Sequence, residues 1–214
     1  MKLDFSHSLL LLIDIQNDFC PGGALAINEG DKIIQPLNLL SAKFKSRSGR
    51  VAATQDWHPP GHASFASTHG KNPYGTIDLP GVKAQVLWPD HCVEGTSGAD
   101  FHKELDLNPV NLIIRKGFRP ELDSYSAFFE NDRTTPTGLD GFLRSLSIDT
   151  IIMGGLATDF CVFYSAMDAL NLSYKTIIAV DTVRGVDLPA GSADEALEKI
   201  KSKGAILLES GEIE

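Results

Sequence analysis

Six short apolar runs, at residues 9–13, 51–54, 111–115, 150–153, 175–180 and 205–208, constrain this chain more than any other feature. They are continuous rather than alternating. A strand with one wet face alternates apolar and polar residues, whereas a strand buried on both faces reads as an unbroken apolar stretch. Helix-period segments lie between several of them. Leu139, Phe142, Leu143 and Leu146 recur at i, i+3, i+4 and i+7, and Thr137 with Asp140 forms an expected N-terminal capping pair. Ala196, Leu197 and Ile200 follow Ser192-Ala-Asp-Glu195, which reads as a capping box, and Gly204 stops that helix. Ile33, Ile34, Leu37 and Phe44 make a weaker first helix with Pro36 near its start. Strands alternating with helices predict an α/β fold: a mostly parallel central sheet of about six strands with helices on both faces.

The stretch 58–109 breaks the alternation. It is rich in proline and glycine and carries only short apolar pieces, and irregular segments of that length inside a compact domain are usually functional. With no linker, repeat or low-complexity tract, residues 1–214 read as a single domain. The 19 Lys+Arg against 28 Asp+Glu, a formal net charge of −9, argue against a sequence-independent nucleic-acid binder. The run 9–13 falls far short of the roughly 20 residues of a membrane span, and it lacks the cleavage site of a signal peptide. Three cysteines, an odd number, fit free thiols in a reducing compartment, so the expected location is the cytoplasm.

An open parallel sheet binds ligands beyond the carboxyl ends of its strands. Asp14, Asp56 with His58, and Lys116 stand at such ends, and Cys161 lies just past another. Cys161 follows Gly154-Gly155-Leu156-Ala157-Thr158-Asp159, read as a tight turn with a capping residue leading into a helical run, 160–172. A thiol in a first helical turn feels the helix dipole, and the early amides there can hold an oxyanion. Asp14 can take the thiol proton and return it to a leaving group, while Lys116 stabilises both charges. Asp56 and His58 offer a carboxylate and an imidazole that can converge on a metal, with His91 as a third ligand and His62 and His69 nearby. Zinc, iron and manganese all accept such a set. Cys20 and Cys92 rank below Cys161, because Cys20 precedes no helix and Cys92 adjoins a candidate ligand.

These residues fall within Leu12-Ile-Asp-Ile-Gln-Asn-Asp-Phe-Cys-Pro-Gly-Gly-Ala-Leu-Ala26, Gln55-Asp-Trp-His-Pro59, Trp88-Pro-Asp-His-Cys-Val93, Arg115-Lys-Gly117 and Gly155-Leu-Ala-Thr-Asp-Phe-Cys-Val162. With Ser64-Phe65-Ala66 and Asp123-Ser-Tyr-Ser-Ala-Phe128, the set resembles the nicotinamidases, also called pyrazinamidases, of the isochorismatase-like cysteine hydrolase superfamily. The resemblance implies an isochorismatase-like hydrolase fold over residues 1–214, with a metal-site or lid segment around 58–109. It implies a metal-dependent amidase that deamidates nicotinamide to nicotinate and ammonia in NAD salvage, and that also takes pyrazinamide. The implied catalytic residues are Asp14, Lys116 and Cys161, with the amides of Ala157 and Cys161 as oxyanion hole and a cis bond between Leu156 and Ala157. The implied ligands of one divalent ion, zinc foremost and iron or manganese as alternatives, are Asp56, His58 and His91. Some members use another histidine, and His62 stands in that region with a different loop spacing. Phe19, Trp88 and Tyr125 match positions that line the ring pocket. Other readings are a different cysteine hydrolase of this fold, acting on isochorismate or a ureido or carbamoyl amide, and a non-catalytic metal-binding relative. Neither nucleic acid nor membrane is an expected partner, and periodicity leaves the oligomeric state open.

Overall fold

A computed structural model describes residues 1–214. Eight strands and four α-helices are formed: β1 (Ser8–Ile13), α1 (Ile34–Ser46), β2 (Arg50–Asp56), β3 (Thr76–Leu79), β4 (Val82–Val86), β5 (Leu112–Lys116), α2 (Leu139–Ser145), β6 (Thr150–Leu156), α3 (Phe163–Asn171), β7 (Lys175–Arg184), α4 (Ser192–Ser202) and β8 (Ile206–Leu208). Six strands make one sheet in the order β5-β2-β1-β6-β7-β8, and every pairing in it is parallel. All six expected runs are strands of this sheet.

The continuous apolar runs have the predicted cause. Along β1, Leu10 and Leu12 face one apolar layer with Ile34, Leu37, Leu40 and Phe44 of α1. Leu9, Leu11 and Ile13 face the opposite layer, built with Leu139 and Leu143 of α2, Ala166 and Ala169 of α3, and Ile200 of α4. Both sides of the strand are therefore dry, and each fully buried leucine contributes about 1.5–3 kcal/mol.

Four local expectations are corrected. Residues 154–156 are not a turn but the last part of β6, whose pairing with β7 shifts register between Met153 and Gly155. Gly155 has φ +139°, and a Cβ there would lie 2.1 Å from the carbonyl oxygen of Ile13, so only glycine lets the two backbones approach this closely. Ser192 does not cap α4: Gly191 occupies the cap position, and the Ser192 hydroxyl donates to Asp159 Oδ2 at 2.6 Å. At α2 the expected capping pair does not form either, because Gly138 holds the cap position and makes no side-chain cap. Thr137 Oγ1 accepts from Leu139 N at 3.3 Å, whereas the Asp140 carboxylate accepts from Arg144 and Tyr174. The stretch 58–109 is not wholly irregular either, since β3 and β4 form an antiparallel hairpin within it. Pro80 and Gly81 (φ +80°) make its two-residue turn, a dipeptide signal legible in the sequence but obscured by the short flanking runs.

Leu11 is completely buried between strand neighbours and helices. Leu11→Ala should lower unfolding stability by about 2–5 kcal/mol. Urea denaturation followed by circular dichroism measures this, and a loss under 1 kcal/mol would contradict the two-sided packing.

Candidate active site

The strand order brings the carboxyl ends of β1, β2, β5 and β6 to one edge. β1 and β6 are neighbours from which the chain runs in opposite directions, β1 toward β2 and β6 toward β7, which makes their boundary the switch point where open α/β sheets form ligand crevices. The register pairs Asp56 directly with Lys116, and Ile13 with Gly155. Asp14 ends β1 in a left-handed conformation, φ +52°, uncommon for a residue with a side chain. Buried Gln16 ties this end to β2 by donating to Asp56 O at 2.7 Å and accepting from Asp56 N at 2.8 Å.

Lys116, 1% exposed, is the hub. Its ammonium lies 2.9 Å from Asp14 Oδ2, donates to Asp56 Oδ1 and to Ser124 O (2.9 Å), and stands 3.4 Å from Cys161 Sγ. The contact with Asp14 Oδ2 is an ion contact without an aligned hydrogen bond, which leaves that oxygen open to accept. Thr54 Oγ1 donates to the other oxygen, Asp14 Oδ1, at 2.6 Å. Burial pushes the Asp14 carboxyl up to about 6 despite the opposing pull of Lys116. Burial also raises the Cys161 thiol well above its ordinary value, again against Lys116. The Lys116 ammonium is itself held well above its ordinary value: burial works to lower it, but Asp14 and Asp56 outweigh burial. The resting arrangement is therefore a thiol beside a carboxyl group poised near neutrality.

Cys161 sits in a single wide helical turn, Thr158–Val162, that opens into α3. Such π-type turns are frequent at functional sites. The preceding peptide bond, Leu156–Ala157, is cis. The capping residue expected in this stretch is absent: Ala157 holds the cap position and makes no side-chain cap.

A second group adjoins the first. Ligand atoms of Asp56, His58 and His91 lie within 4.8 Å of one another, all buried. His58 Nε2 is 3.7 Å and His91 Nε2 is 4.0 Å from Asp56 Oδ2, too far for hydrogen bonds. The other ring nitrogens face carbonyls, Gly117 O for His58 and Pro89 O for His91, both at 2.8 Å. A carbonyl can only accept, so Nδ1 carries a proton on each ring and each Nε2 faces Asp56; burial works to lower the His58 imidazole, but Asp56 outweighs burial and holds His58 above its ordinary value. Gly117 (φ +64°) permits this approach, because a Cβ there would lie 2.4 Å from His58 Cε1. Burial and the neighbouring His58 push His91 down to about 4, which favours its neutral, ligating form. For Asp56, burial is outweighed by Lys116 and His58, which hold the carboxylate well below its usual range. Asp14 and Asp56 share the single ammonium of Lys116, and a third buried carboxyl group, Asp123, groups with His58 and His62 beside them. A divalent cation fits both the donor set and that excess of acidic groups.

His62 stands on the far side of His58, their ring centroids 4.4 Å apart, and groups with His58 and Asp123 rather than with Asp56 and His91. Its Nδ1 engages Ser64 Oγ at 2.8 Å. His69 binds Ala63 O. Cys20 and Cys92 are buried in the apolar layer against α1, where burial raises both thiols, Cys20 to about 11. Phe19, Trp88 and Tyr125 line one pocket with Ala157, Cys161, Asp56 and His91. Trp88 Nε1 and Gln85 Nε2 both donate to the Tyr125 hydroxyl, at 3.1 and 3.0 Å. Sequence reasoning missed Gln16, Thr54, Gln85, Asp123 and the apolar wall of Leu25, Ile27, Phe160 and Val186. Gln16, Leu25, Asp123 and Phe160 lie inside the segments that carry the family resemblance, whereas Thr54, Gln85, Ile27 and Val186 carried no signal of a site.

Residues 8–212 match the family model described as the isochorismatase domain. The chain is 46% identical to a nicotinamidase of Escherichia coli (strain K12) over 92% of each chain. Its structure resembles an Acinetobacter baumanii nicotinamidase/pyrazinamidase with a TM-score of 0.91 at 45% identity, covering 96% of this chain and 97% of the other. A Pyrococcus horikoshii pyrazinamidase in complex with zinc aligns with a TM-score of 0.79 at 33% identity, over 95% and 99% of the two chains.

Replacing Lys116 by Met removes the only ammonium between Asp14 and Asp56. The uncompensated carboxylates should then cost about 3–5 kcal/mol at neutral pH, read from urea midpoints. Wild-type stability in Lys116→Met would refute the balancing role.

Proposed function

The chain belongs to the isochorismatase domain family, and from that premise we propose that it is a metal-dependent cysteine amidohydrolase converting nicotinamide to nicotinate and ammonia, with Cys161 as nucleophile. The observation that carries the residue assignment is the reach of one ammonium: Lys116 touches Asp14, Asp56 and Cys161 Sγ at the floor of a single aromatic pocket. Nucleophile, base and electrophilic support thereby share one point, as acyl transfer through a covalent intermediate requires.

Asp14 takes the Cys161 proton on its open oxygen, and Lys116 stabilises thiolate and carboxylate in turn. The thiolate attacks the carboxamide carbon. The tetrahedral oxyanion is held by the amides of Ala157 and Cys161, whose fixed dipoles need no reorganisation. Asp14 returns the proton to departing ammonia, leaving a thioester on Cys161. Water deprotonated by Asp14 cleaves that thioester and releases nicotinate. Asp56, His58 and His91 would hold a divalent ion, which when bound would supply Lewis-acidic polarisation and a template for the pyridine ring. Zinc is the foremost candidate, supported by the zinc-bound relative, with iron and manganese as alternatives. Phe19, Trp88 and Tyr125 enclose the ring, and the segment 58–109 contributes Trp88 and His91 to this enclosure. His62 stays outside the proposed ligand set, because Ser64 and Asp123 occupy its surroundings. Pyrazinamide, a ring analogue, fits the same pocket chemistry. No helix is long and apolar enough to cross a membrane, and three free, buried cysteines support a cytoplasmic location.

Purified protein should release ammonia from nicotinamide, while Cys161→Ala abolishes release and retains nicotinamide binding by calorimetry. Near-normal turnover in Cys161→Ala would overturn the nucleophile. Silence from folded, zinc-loaded wild type would shift the reading to another amide or enol ether substrate. Dialysis against a chelator should remove activity together with bound metal, and zinc should restore both. Elemental analysis of Asp56→Ala and His91→Ala should show the metal lost. Stoichiometric metal in either variant would contradict the ligand set.

A further inference from the structure

Asp159, two residues before Cys161, has no part in these proton transfers, and its carboxylate is occupied by a different segment. Oδ1 accepts from Val186 N at 2.9 Å, and Oδ2 accepts from Asp187 N at 2.9 Å and Ser192 Oγ at 2.6 Å. Three donors from residues 186–192 thus converge on one side chain, and an acceptor-only carboxylate is the group suited to them all. Asp187 Oδ1 closes the loop on itself by accepting from Gly191 N at 2.8 Å and Ala193 N at 3.3 Å. Gly185 lies so tightly against this turn that a Cβ would stand 2.5 Å from Ala193 Cβ and 3.2 Å from Asp159 Oδ1. Val186, carried by the strapped loop, lines the same pocket as Cys161, Trp88 and Phe160. Val186 packs against the apolar layer, but Leu188, at the outer side of the loop, is 52% exposed and adds little apolar burial to hold it.

We propose that Asp159 is a positioning residue that straps residues 185–192 to the turn bearing Cys161 and so holds Val186 as a wall of the substrate pocket. The inference rests on the amidohydrolase reading for its kinetic consequence but not for the strap. Because the wall touches bound ring rather than reacting atoms, loosening it weakens substrate binding more than the chemical step.

The test compares kcat and KM for nicotinamide in wild type, Asp159→Asn and Ser192→Ala, with amide hydrogen exchange at Val186 and Asp187. Asp159→Asn keeps the volume but turns an amide N–H₂ toward backbone donors. KM should rise roughly tenfold with kcat within about threefold, and exchange at both amides should accelerate. Ser192→Ala removes one donor of three and should raise KM by about two- to threefold; it carries the test if Asp159→Asn does not fold. Unchanged KM in a folded variant, or a loss confined to kcat, overturns the proposal. If wild type releases no ammonia from nicotinamide, the amidohydrolase reading fails, and exchange alone decides the strap: unaltered protection in the variants overturns it.

Discussion

A single buried ammonium surrounded by carboxyl groups governs this structure. Lys116 is fully enclosed, and a lysine in that position would shed its proton were Asp14 and Asp56 not beside it. The dependence is mutual, since two carboxylates held this close inside a protein need a cation between them. Burying such a group costs several kcal/mol, which hydrophobic packing on both faces of the sheet must offset. The polar cluster therefore sits at the end of the sheet, where the apolar layers stop.

The geometry of a parallel sheet makes the cluster possible. Each strand delivers one side chain at its carboxyl end, and the register aligns those ends within a residue: Asp56 faces Lys116 while Asp14 follows Ile13 opposite Gly155. Cys161 reaches the same place differently, from a wide helical turn after β6. Small departures from regularity do the fine positioning. Asp14 is left-handed, and Gly155 lets two backbones approach within a distance that no side chain allows.

The pocket is built from elements with weaker rules. Trp88 and His91 come from the proline-rich stretch after β2, and Tyr125 from the loop after β5. Gln85 of the β3–β4 hairpin binds Asp123 and Tyr125, and so fastens the hairpin to the pocket wall. Isolated backbone bridges, His58 with Val93 and Phe65 with Trp88, join these side-chain hydrogen bonds in place of the continuous ladder that orders the sheet.

The strand runs, the helices between them and the chemistry at the strand ends were legible in the chain alone, because burial on two faces and helical period leave local patterns. The acidic, basic and thiol residues beyond those runs marked the cluster around Lys116, and Asp56, His58 and His91 marked a second polar group. Gly154 and Gly155 misled as a turn, since glycine signals freedom of the backbone without saying whether a turn or a close neighbour requires it. Ser192 misled as a cap, because its true partner, Asp159, is 33 residues away. Only the tertiary structure decided that β1 lies between β2 and β6, that Lys116 is shared by Asp14 and Asp56, and which walls close the pocket. Local sequence sets period and terminal chemistry. Which ends become neighbours depends on crossovers and packing between distant segments, and no local pattern records those.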